Sequence, residues 1–87
     1  MRHPLVMPDL GLGDEPVTVS LWLVDRGREV SEGDRLLEVQ AESVTVDLPA
    51  PASGRLVERL VDADDPLTAG QVLGYIDDAR VAASLVG

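Results

Sequence analysis

At 87 residues the chain makes one domain, whose folding buries only about 60% of the surface an unfolded chain exposes. Sixteen carboxylates against seven basic side chains leave a formal charge of −9, which argues against nucleic acid or an anionic membrane as a partner. No cysteine is present, so disulfides, a thiolate nucleophile and sulfur-ligated zinc are excluded.

All seven basic residues are arginine. The chain therefore has no side-chain amine for a Schiff base or an amide-linked group. No stretch approaches the roughly 20 apolar residues of a membrane span, and the first residues lack the apolar core of a signal peptide. A cytoplasmic location is the resulting expectation.

Taken in chain order, residues 3–7 form a first short strand candidate. Residues 17–24 follow with strict alternation: Val17, Val19, Leu21 and Leu23 on one face, Thr18, Ser20, Trp22 and Val24 on the other. This alternation predicts a strand with Leu23 in the core. Residues 36–40 form a further candidate. In the next, Val44, Val46 and Leu48 alternate with Thr45 and Asp47. Residues 55–61 and 71–77 complete the set. Gly27, Gly33, Asp34, Pro49, Pro51, Gly54, Asp64, Asp65, Pro66 and Gly70 punctuate it as turn formers. Only the Ala-rich end, 78–86, hints at helix, and it reads equally well as a frayed tail. The predicted domain is 1–78, with 79–87 as a C-terminal tail.

A shift of 37 residues lays Leu23-Val24-Asp25 on Leu60-Val61-Asp62, Val30 on Leu67, Gly33 on Gly70, Leu36 on Leu73 and Val39 on Ile76. Each half reads strand, acidic turn, apolar residue, glycine, strand. Two such halves predict two interlocked sheets related by a pseudo-twofold axis.

With the repeat in place, the order of motifs resembles the lipoyl/biotinyl-attachment domains, above all the lipoyl domains of 2-oxo acid dehydrogenase acyltransferases. The resemblance runs through Val6-Met7-Pro8-Asp9-Leu10-Gly11, Trp22-Leu23-Val24, Gly27, Val30-Ser31-Glu32-Gly33-Asp34, Leu48-Pro49-Ala50-Pro51-Ala52-Ser53-Gly54 and Gly70-Gln71-Val72-Leu73. It implies an all-β flattened barrel of two small antiparallel sheets, with close chain ends and the 41–45 turn at the opposite end. In the family, a lysine at that turn carries the cofactor, five residues before the apolar residue that precedes Pro-x-Pro. Counted back from Leu48, the equivalent position is Ser43, flanked by Glu42 and Val44. Gly33 and Gly54 keep the family spacing around it. Without lysine, neither lipoate nor biotin is expected as a covalent cofactor, and no catalytic residue or metal is expected.

Other candidates weigh less. Ser43 as a nucleophile needs a base, and Glu42 and the single histidine, His3, are poor choices. Asp62, Asp64 and Asp65 crowd one turn, but their spacing does not suit a calcium loop. Asp77-Asp78 reads as a solvated edge. Trp22 suits either a partner contact or, better, a place in the barrel.

The leading functional expectation is a non-catalytic docking module for an unidentified protein partner. The alternatives are an acyl-carrier domain of a 2-oxo acid dehydrogenase acyltransferase, and a fragment of an export or efflux adaptor. A free-standing enzyme is not expected.

Overall fold

A computed structural model describes residues 1–78. Every regular element among them is a strand: β1 (Arg2–Val6), β2 (Val17–Trp22), β3 (Glu29–Val30), β4 (Arg35–Ala41), β5 (Thr45–Pro49), β6 (Gly54–Arg59), β7 (Pro66–Leu67) and β8 (Val72–Asp77). The tail assigned to 79–87 lies outside the described residues. The six longer strands fall on the six sequence candidates, while the two-residue strands β3 and β7 are too short for periodicity to reveal.

The strands form two four-stranded antiparallel sheets, ordered β1-β8-β6-β3 and β5-β4-β2-β7. Their facing sides meet in one core. Leu36, Leu37, Leu56, Leu73 and Ile76 lie fully inside it, with Val19 and Val39 beside them.

The 37-residue repeat is a structural symmetry. The Gly27 amide donates to the Leu56 carbonyl at 2.6 Å, and Asp64 donates to Val19 at 2.8 Å. Leu23 donates to Leu36, and Leu60 to Leu73, at 2.8 and 2.9 Å. Gly33 and Gly70 both take left-handed backbone, with φ of 92° and 88°. A side chain there would be strained, which is why the turn carries glycine in both copies. Each half thus lends a strand pairing to the other, and neither half closes a core alone.

The unbroken alternation expected over 17–24 fails, and the irregularity that breaks it recurs in the second copy. The β2–β4 register shifts between Val19 and Leu21, and the β6–β8 register shifts between Leu56 and Glu58. The extra residue is a β-bulge, which reverses the faces beyond it. Leu21 and Leu23 are consequently 47% and 42% exposed, and Trp22 and Val24 pack against the core instead. Leu23 is not the core residue that unbroken alternation predicts.

The core role preferred for Trp22 is the one it has. Its Nε1 donates to the Val61 carbonyl at 2.8 Å, and the Arg59 guanidinium sits 5.7 Å from the ring centroid. Gly74 lies beneath the ring, but what requires glycine there is β6: a Cβ would stand 2.5 Å from the Glu58 carbonyl oxygen. Gly54 is equally constrained, because a Cβ at that position would collide with the Asp77 carbonyl on β8.

Candidate functional site

The second sheet ends in the β4–β5 hairpin. Gln40 faces Thr45, and the Ala41 amide donates to the Val44 carbonyl at 2.8 Å. Only Glu42 and Ser43 remain as the two-residue loop, and both are exposed. Ser43 therefore stands at the tip, as the sequence register placed it, with Glu42 and exposed Val44 on either side.

The neighbour of Ser43 is one the sequence reading missed. The Ser43 amide donates to Glu15 Oε1 at 2.6 Å, and Ser43 Oγ lies 2.9 and 3.0 Å from Oε1 and Oε2. Strand register explains the meeting. Val17 faces Ala41 across the β2–β4 ladder, so two residues further out Glu15 comes opposite Ser43. Pro16 has no amide to extend the ladder and keeps Glu15 in extended backbone. The loop behind it is held by Glu15 donating to the Leu12 carbonyl at 3.2 Å and Gly11 donating to Asp9 Oδ1 at 2.8 Å. Glu15 is 28 residues from Ser43 in sequence, and no local pattern links the two.

Beside this contact, the β1–β2 loop and residues 67–69 line an open groove of about 490 Å³. Half-buried Leu10, Leu12 and Val17 contribute its apolar wall, and Glu15 lies on its rim. The hairpin end is acidic throughout. No basic residue occurs from Pro4 to Asp25 or from Leu36 to Gly54.

The remaining candidates lie elsewhere and serve the backbone or the chain ends. In the 62–65 turn, Asp65 Oδ2 accepts from the Asp62 amide at 2.8 Å, and Asp64 takes left-handed backbone with φ of 71°. Among the described residues no group of three or more His, Asp or Glu side chains is arranged to hold a metal ion. His3 lies in the other sheet, with its Nε2 2.8 Å from Asp78 Oδ2. That hydrogen bond, with a second from the Met1 amino group 3.0 Å away, holds the Asp78 carboxyl down at about 2. Asp77-Asp78 is thus a clasp between the end of β8 and the first residues of the chain rather than a plain solvated edge. Among the described residues no helix is long and apolar enough to cross a membrane.

A family described as "Biotin-requiring enzyme", the biotin/lipoyl domains, matches residues 3–76. The chain belongs to this family. It is 38% identical over 78 residues to the dihydrolipoyllysine-residue acetyltransferase component of the pyruvate dehydrogenase complex of Corynebacterium glutamicum. It is 35% identical over 79 residues to the corresponding component of the acetoin cleaving system of Cupriavidus necator. These alignments take in 90% and 91% of the chain but only 12% and 21% of the relatives' length. The fold matches the solution structure of the lipoyl domain of the 2-oxoglutarate dehydrogenase complex from Azotobacter vinelandii, with a TM-score of 0.63 at 20% identity. That match covers 90% of this chain and 94% of the other.

These matches correct the expectation of a domain outside cofactor chemistry. The family is one of lipoate- and biotin-attachment domains, and the relatives are named for a dihydrolipoyl-lysine residue, so lipoate is the usual group of such a domain. They also favour the acyltransferase lipoyl domain over the docking module that heads the sequence reading.

Proposed function

We propose that this chain is the lipoyl-type carrier domain of a 2-oxo acid dehydrogenase acyltransferase, presenting position 43 to the active sites of a multienzyme assembly. The observation that carries the reading is the placement of Ser43 at an exposed two-residue hairpin tip, in a chain 38% identical to a dihydrolipoyllysine-residue acetyltransferase. A rigid base of two sheets and a protruding tip suit a domain that visits other proteins' active sites. The domain is a carrier in this proposal, not a catalyst, and the acyltransferase chemistry belongs to other parts of such proteins. The acidic hairpin end fits partner surfaces rich in arginine and lysine, which would hasten encounter at low salt. A cytoplasmic location accompanies the proposal.

Position 43 as the attachment point is tested by Ser43→Lys with a lipoate ligase, ATP and lipoate. The substitution changes an exposed turn residue and buries nothing, so the fold should tolerate it. The expected result is a mass gain of one lipoyl group, followed by reductive acylation of the loaded domain by a 2-oxo acid dehydrogenase. Lysine placed at Ser31 or Ser53 should gain no amide-linked lipoyl group. A folded Ser43→Lys protein that accepts no lipoate, beside a related lipoyl domain that is fully modified, would overturn the reading.

A further inference from the structure

We propose that Ser43 Oγ is itself an acyl acceptor, with Glu15 as its general base, so that this chain takes a lipoyl group as an oxygen ester. This rests on the carrier reading and deepens it. Sequence reasoning dismissed Ser43 as a nucleophile for want of a base, and the fold supplies one. The Oγ lies within hydrogen-bond reach of both Glu15 carboxylate oxygens, at 2.9 and 3.0 Å, inside the range required for proton abstraction. The Ser43 amide, donating to the same carboxylate at 2.6 Å, holds it against the hydroxyl. Pro16 restricts the backbone of Glu15, and the Glu15 amide ties the loop to the Leu12 carbonyl.

A groove of ligand-sized volume lies beside this pair. The groove that begins at Glu15 is walled by Leu10, Leu12 and Val17, and its volume of about 490 Å³ falls in the ordinary range of ligand sites, about 300–1,000 Å³. Asp9, Asp14, Glu15 and Thr68 share the lining with that apolar wall, so the groove is mixed in character, and the lipoyl class of the group rests on the carrier reading.

The donor must be an activated acyl group, and a lipoyl-adenylate is the class that suffices. Ser43 Oγ attacks the acyl carbonyl carbon while its proton passes to the Glu15 carboxylate. The bond from that carbon to the phosphate oxygen breaks, and AMP departs with the electron pair. The products are the Ser43 ester and AMP, with the proton released from Glu15 to solvent. No electrons change hands.

The experiment incubates the purified chain with synthetic lipoyl-adenylate and follows intact mass. We expect one added lipoyl group that hydroxylamine at alkaline pH removes, as it removes oxygen esters but not amides. Ser43→Ala should lose that label. Glu15→Gln should keep the fold by circular dichroism and slow labelling by about a hundredfold or more, the lower end of what a positioned general base contributes. Absence of label, or a hydroxylamine-resistant label confined to the Met1 amino group, would overturn the proposal. An unchanged rate in Glu15→Gln would overturn the role of Glu15. Failure here beside successful lipoylation of Ser43→Lys would leave the carrier reading standing and remove only the ester.

Discussion

Residues 17–41 and 54–77 build the same unit twice, yet the two copies finish differently. The copy ending in β4 runs into a two-residue turn and returns as β5. The copy ending in β8 meets β1 instead, with Arg2 opposite Asp77, so the start of β1 and the end of β8 occupy the place the hairpin holds in the other sheet. The connections differ too: ten residues, 7–16, join β1 to β2, whereas four, 50–53, join β5 to β6. The longer connection forms the groove and brings Glu15 to Ser43. The duplicated framework supplies rigidity, and the candidate chemistry sits where the duplication is broken.

The largest effects should come from the shared framework. Leu36→Ala and Leu73→Ala occupy equivalent, fully buried positions. Each should cost about 2–5 kcal/mol in urea unfolding, and the pair should agree within about 1 kcal/mol. A large disparity would mean that the halves share geometry but not energetics. Either loss is a large fraction of the stability of so small a domain.

Next comes a pair that the symmetry relates but the chemistry separates. Trp22 and Arg59 stand at equivalent positions, one half-buried against the core and the other over its ring. Trp22→Ala should cost about 3 kcal/mol, since it removes packing and a hydrogen bond. Arg59→Ala should cost about 1 kcal/mol at most, the scale of an exposed cation–π contact. Near-equal losses would contradict the different packing of Trp22 and Arg59.

Smaller effects are expected at Leu23 and Leu60, which the bulges turn outward, at 42% and 52% exposure. Replacement of either by alanine should change stability by about 0.5 kcal/mol. A loss of several kcal/mol at Leu23 would restore the unbulged register.

The smallest effect should be at the chain-end clasp. The Asp78 carboxyl titrates near 2, below its ordinary value of 3.8, because His3 and then the Met1 amino group favour its ionised form. A depressed carboxylate pKa stabilises the fold above the unfolded value and loses that contribution as pH falls through the folded one. The Asp78→Asn variant should therefore melt slightly below the parent protein at pH 5, with the gap closing between about pH 4 and pH 2. Met1 is exposed and His3 and Asp78 are about one-third exposed, so added salt should shrink the gap.

Much of this protein was legible before its structure. Alternation marked β2 and β5, because a half-buried strand writes its two faces into sequence with period two, and turn formers set off the other four longer strands. The repeat marked the symmetry, because identical turn geometry demanded the same residue types, Gly33 and Gly70 among them. Counting back from Leu48 also placed Ser43 at the hairpin tip. The bulges were not legible, since Val17, Val19, Leu21 and Leu23 read as one unbroken face and only pairing with β4 shows the inserted residue at Ser20. Nor was Glu15, which approaches Ser43 through cross-strand register alone. Periodicity and turn chemistry are local and survive in the one-dimensional chain. Which residue faces which across two strands, and therefore which carboxylate meets which hydroxyl, is decided only when the sheets close on their common core.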